Sequence, residues 1–321
     1  MAESHYYYQA FMSAIQRKIQ HRATLVNTIT DILAIDKDAV YRRLRGEVHF
    51  SFIEMALIAK NLGVSIDSIV GIESEQSKPT IINITRHLNP TPLDYRMFND
   101  YIDFLKYIKD EPETILLSSG NMPPHYLFYD YEYITRLFTL CWCHSSNFGR
   151  SIPYHEIILP EQMKVLQKNC CLYTRHIKST NYVWDRSIFQ RIVDNIKFFA
   201  RIRLIKGEDI YLIKNDLIML INHIEKLAVT GKHEDTGNQV SIYISDIYIE
   251  TNYSSIKTQN MTLGQFNTFL LCAISAFDEA VYTEISSWIL TRQRMSTLIS
   301  VSGEKFRAEY FDKQREIILT L

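Results

Sequence analysis

The chain has 321 residues, of which 46% are hydrophobic and 22% charged, and its formal net charge is −1. These proportions exclude global disorder, and near-neutrality excludes the overall basic field of a protein that coats nucleic acid. Only 10 glycines and 8 prolines occur, which favours helices over turn-rich β architectures and leaves little material for phosphate-cradling loops.

From Tyr7 to Gln20, Phe11, Met12, Ile15 and Ile19 recur at helical spacing. A second helix is expected from about Leu25 to Leu33, with Leu25, Val26, Ile29, Ile32 and Leu33 on its apolar face. After a short turn, Asp36 is placed to cap a third helix in which Val40 and Leu44 point inward. That helix carries Lys37, Arg42, Arg43 and Arg45 against one acid, Asp38, and Gly46 supplies a left-handed stop. An apolar helix, a three-residue turn and a short basic helix is the helix-turn-helix plan, whose second helix enters the major groove.

The fourth helix opens on Ser51-x-x-Glu54, a capping-box spacing, and ends at Gly63. Ser65 is expected to cap a fifth short helix carrying Ile66, Ile69 and Val70 before Gly71. The run from Leu25 to Ile69 resembles the XRE family, the lambda-repressor-like helix-turn-helix regulators of bacteria and phage. Two fragments carry the resemblance: DKDAVYRRLRG (36–46), matching the recognition helix and its terminating glycine, and IAKNLGVSIDSIVG (58–71), matching the close of the domain. The domain they mark, 1–71, is about a fifth of the chain.

The resemblance implies that Lys37, Asp38, Tyr41 and Arg42 read base edges, through donors suited to guanine and a carboxylate suited to cytosine. It also implies that Arg43, Arg45 and the loop around His49 meet phosphates. Ala34 stands where the family carries glycine in the turn. A left-handed conformation there costs alanine on the order of 1 kcal/mol.

Residues 72–80, IESEQSKPT, read as a polar linker, and NPTP at 89–92 is a second boundary signal. The expected organisation is a DNA-binding domain over 1–71, a linker over 72–91 and an α-rich oligomerisation or regulatory domain over 92–321. Beyond the linker, Leu93 to Ile108 fits an amphipathic helix, with further helices near 129–144, 160–178, 184–204, 208–228, 262–292 and 304–319. Residues 239–253 alternate with period two and switch parity near Ser245–Asp246, and 296–302 is a further strand candidate. The fold expected is therefore mainly α: a five-helix lambda-repressor-like head and a larger α-rich body with a small β element.

No other constellation assembles a site. Cys141, Cys143, Cys170, Cys171 and Cys272 are odd in number and spaced C-x-C and C-C, so neither a disulfide framework nor zinc spacing is implied. The aromatic run HYLFYDYEY (125–133) fits core packing. No dinucleotide, P-loop or nucleophile-elbow motif occurs, and no metal or cofactor is expected. The start of the chain lacks a signal-peptide pattern and no run reaches 18 apolar residues, so a cytoplasmic protein without membrane contact is expected.

The sequence thus points away from an enzyme. It points to a transcriptional regulator binding double-stranded DNA as a homodimer, with an effector of unknown kind sensed by the body. The other reading is a protein-interaction adaptor with a helix-turn-helix that does not bind DNA.

Overall fold

The computed structural model describes residues 2–19, 21–64, 66, 69, 88–146, 152–268 and 272–321. The chain divides into two compact units, Met1–Ile81 and Ile82–Leu321. The segment 72–87, most of the expected linker, lies outside the described residues.

The first unit contains α1 (Ala2–Lys18), α2 (Arg22–Leu33), α3 (Lys37–Leu44) and α4 (Phe52–Leu62). Phe11, Ile15, Leu25, Ile29, Val40 and Ile58 are fully buried and make one core, the helical spacing of each element delivering its apolar face to the others. Most of the fifth helix expected at 65–70 lies outside the described residues, although Ile66 and Ile69 are helical and pack on this core. The capping box forms as its spacing predicts: Ser51 Oγ accepts from the Glu54 amide, and the Glu54 carboxylate accepts from the Ser51 amide at 2.7 Å.

The second unit overturns the expectation of a mainly α body with a small β element. It is built on a seven-stranded mixed sheet of order β6-β5-β4-β1-β2-β3-β7. Its strands are β1 (Ile115–Gly120), β2 (Ser179–Asp185), β3 (Gln239–Ser245), β4 (Asn252–Lys257), β5 (Thr262–Thr268), β6 (Cys272–Ala276) and the short β7 (Thr297–Leu298). β1, β2 and β3 are parallel, and the remaining neighbours pair antiparallel. Among the described residues eight α-helices accompany them: α5 (Pro92–Ile108), α6 (His125–Phe128), α7 (Glu132–Ser146), α8 (Glu161–Thr174), α9 (Ile188–Arg201), α10 (Gly207–Thr230), α11 (Glu279–Arg294) and α12 (Glu304–Leu319).

Both faces of the sheet are covered. Leu117 and Val183 face α11, packing with Ile285 and Ile289, while Leu116, Tyr182 and Trp184 join the main core on the opposite face. Strands buried on both sides lose the in–out alternation that betrays a half-exposed strand. That is why β1 and β2 escaped the periodicity reading. The helix expected over 262–292 is two strands followed by α11, which starts only at Glu279. Its apolar spacing imitates a helix, but Leu263 and Phe266 pair across to Ile256 and Tyr253 on β4. The parity switch near Ser245 is the end of β3, and the next strand starts at Asn252.

Candidate nucleic-acid interface

α2, the turn 34–36 and α3 form a helix–turn–helix in the plain geometric sense. Ala34 closes α2 with φ 52° and ψ 45°, the left-handed conformation that the turn requires. Asp36 occupies the N-cap of α3 in an extended conformation, but its side chain makes no capping hydrogen bond, so the expected cap is corrected to a backbone one. The other end is stopped as expected. Gly46 takes φ 80°, its amide donates to the Arg43 carbonyl, and the Glu47 amide donates to the Arg42 carbonyl, both at 3.0 Å. Those two bonds are the paired closure of a Schellman motif, which satisfies carbonyls that a helix end leaves open.

Val40 is fully buried and anchors α3 to the core. Lys37, Asp38, Arg42 and Arg45 are exposed, and Tyr41 is half-buried against the core. The helix thus presents three cations and one acid to solvent.

Arg43, which the resemblance assigns to a phosphate, lies differently from the other cations of the helix. Its Nη2 donates to Glu54 Oε1 at 2.9 Å, with about 20% of each side chain exposed. Its Nη1 donates to the Ala39 carbonyl, and its guanidinium lies 5.8 Å from the centre of the Phe50 ring. Burial pushes the Glu54 carboxyl up, but the Ser51 amide and hydroxyl and the Arg43 guanidinium outweigh it and hold the pKa below the usual carboxylate range. Arg43 therefore joins α3 to the capping box of α4 instead of facing outward.

His49 is exposed and stacked on the Tyr8 ring, with centroids 4.2 Å apart. The Tyr8 hydroxyl donates to the Arg43 carbonyl at 3.1 Å and accepts from the Phe50 amide at 3.3 Å. One α1 side chain thus clamps the end of α3 and the loop beyond it. Sequence reading missed Tyr8, because no local pattern marks a contact across 35 or 42 positions.

Glu47 was also missed. Its Oε1 lies 2.7 Å from Arg45 Nε and its Oε2 lies 3.4 Å from Arg42 Nε. The side-chain hydrogen bond from Arg45 comes first among the causes that lower the Glu47 pKa, and Arg42 adds to it. The local charge excess read from residues 37–45 is thus largely compensated by two acids just beyond that window. The signal was present as the Gly-Glu pair after the helix.

In the second unit a shallow cleft of about 240 Å³, including space open to solvent, lies at the carboxyl end of β1. Ser118, Ser119, His125, Asn252 and Asn267 line it with Met122 and two prolines, and among the described residues no Lys, Arg, Asp or Glu contributes. Asn252 Oδ1 accepts from the Met122 amide, and a Cβ on Gly120 would fall 2.0 Å from that oxygen. The aromatic run above it is core: Tyr126, Phe128 and Tyr129 are buried. Cys143, Cys170 and Cys171 are buried free thiols, and burial pushes Cys171 up to about 12. Among the described residues no helix is long and apolar enough to cross a membrane. No protein-family model, curated protein or solved structure matches the chain.

Proposed function

We propose that this chain is a transcriptional regulator of the XRE type that binds specific double-stranded DNA, with α3 laid in the major groove. One observation carries the reading: α3 buries Val40 and directs Lys37, Asp38, Arg42 and Arg45 to solvent from a rigidly closed helix. Lys37, Asp38 and Arg42 take the base edges, with the outer end of Tyr41 beside them. Arg45 and His49 take phosphates. A single such helix touches few base pairs, so specificity requires a homodimer on two half-sites about 34 Å apart. Its interface is assigned to the region beyond residue 90.

Selection of bound duplexes from a random pool by the purified full-length chain tests this. The expected result is an enriched pair of inverted half-sites about one helical turn apart. A pool that stays random after repeated rounds overturns the proposal.

The adaptor reading has its own support. Phe52 and Ile53 at the start of α4 are 74% and 71% exposed, with Leu57 also exposed one turn on. Such apolar exposure suits a protein partner. Gel shifts at two salt concentrations separate the readings, because only the regulator retains a sequence-dependent shift when salt is raised.

A further inference from the structure

We infer that Glu47 is an internal stand-in for a DNA phosphate, holding Arg42 and Arg45 until a duplex displaces it. The inference rests on the DNA-binding reading and concerns how that interface is regulated. Glu47 is not an arbitrary surface acid. Its amide is tied to the Arg42 carbonyl by the helix-closing bond at 3.0 Å, and the φ of 80° at Gly46 sets the direction in which the chain leaves α3. The carboxylate is thereby held beside the two arginine heads. Each of its oxygens engages a different guanidinium, at 2.7 and 3.4 Å, as two oxygens of one phosphate would.

All three side chains are exposed by half or nearly so, Arg42 at 59%, Arg45 at 51% and Glu47 at 46%. Exchange of the carboxylate for an incoming phosphate therefore needs no opening of the core. An exposed ion pair is weak enough to be displaced. Arg43 differs because Glu54 lies within the capping box of α4, so displacing it would disturb the fold. The two acids thus have separate roles: Glu54 fixes the helix, and Glu47 occupies the arginines that face outward. The consequence is weaker charge-driven binding to DNA of any sequence, since Arg42 meets a phosphate wherever the duplex offers it no matching base edge.

The magnitude follows from competition for the two guanidinium groups. An exposed ion pair is worth up to about fivefold in an equilibrium, and a duplex must break one or both of the pairs that Glu47 makes. Glu47→Gln in the full chain should bind a random-sequence duplex between about fivefold and about thirtyfold more tightly, with a salt slope close to that of wild type because both complexes meet the same phosphates. Glu47→Ala should behave alike, and supplies the same comparison should the glutamine variant unfold early. In an Arg42→Gln/Arg45→Gln background, compared at salt low enough for binding, the same change at Glu47 should matter by less than about twofold. An undiminished gain in that background would mean that Glu47 only repels the duplex, and would overturn the inference. So would wild-type binding that Glu47→Gln leaves unchanged in affinity, with the DNA-binding reading intact. Absence of binding by wild type and every variant overturns both.

Discussion

At the scale of single residues, the outward cations separate by role. Arg42→Ala should weaken binding to a selected sequence by roughly 1–3 kcal/mol and relax preference at one base pair. Arg45→Ala should weaken all sequences alike and flatten the salt slope by about 1. Equal losses on selected and random duplexes for Arg42→Ala would exclude a base-reading role. Ala34 adopts a left-handed backbone without glycine's freedom, so Ala34→Gly should raise the stability of the first unit by about 1 kcal/mol. Chemical unfolding measures this, and a loss of stability would count against the strain. In the second unit, burial pushes His233 down to about 4; Arg175 and His223 act in the same direction, and Asp235 opposes them. The unfolded imidazole titrates near 6.5, so its contribution is complete above that pH and is lost as pH falls from 6.5 toward 4. The wild type should lose about 2 kcal/mol of that unit's stability between pH 7 and pH 5 through this group. His233→Phe, which cannot titrate, should show a flatter profile in urea titrations at the two pH values; parallel profiles would exclude His233 as the source.

At the scale of elements, packing depends on close approach where the sequence offers little bulk. A Cβ on Gly264 of β5 would fall 2.9 Å from Val281 Cγ1 and 3.0 Å from Ile285 Cδ1 of α11. Gly264→Ala should therefore push α11 from the sheet and cost about 1–3 kcal/mol by overpacking. A melting temperature equal to wild type would show that α11 yields freely. The ends of α3 illustrate how much local chemistry was legible. Gly46 and the Ser51–Glu54 spacing act through bonds within five residues, so the terminators are written where they operate. Asp36 has the right residue type for a cap, yet its side chain makes no such bond. Residue type alone does not settle where a side chain turns.

At the scale of the whole molecule, two units hold separate cores, one around Phe11, Ile29 and Val40 and the other around Phe138, Trp184 and Ile242. A smaller domain buries a smaller fraction of its chain, so the first unit should unfold first. Calorimetry of the full chain should give two transitions, and residues 82–321 produced alone should keep the upper one within about 5 °C. A single transition that is lost on removing residues 1–81 would contradict this. The near-zero net charge acts at the same scale. It leaves charge-driven attraction to local cations, which the acids beside them then moderate.

The residues alone determined what is local: the apolar faces of α1 to α4, the stop at Gly46 and the capping box. Helical periodicity and end signals act over a turn or two, so they can be read without knowing the neighbours. Tertiary structure decided the rest. It turned Arg43 toward Glu54, set Tyr8 over His49 and coupled Arg42 and Arg45 to Glu47. It also assembled β1 and β2 into a sheet covered on both faces, where burial on each side erases alternation. Ion pairs and strand partners depend on which distant segments meet, and that is fixed only when the cores close.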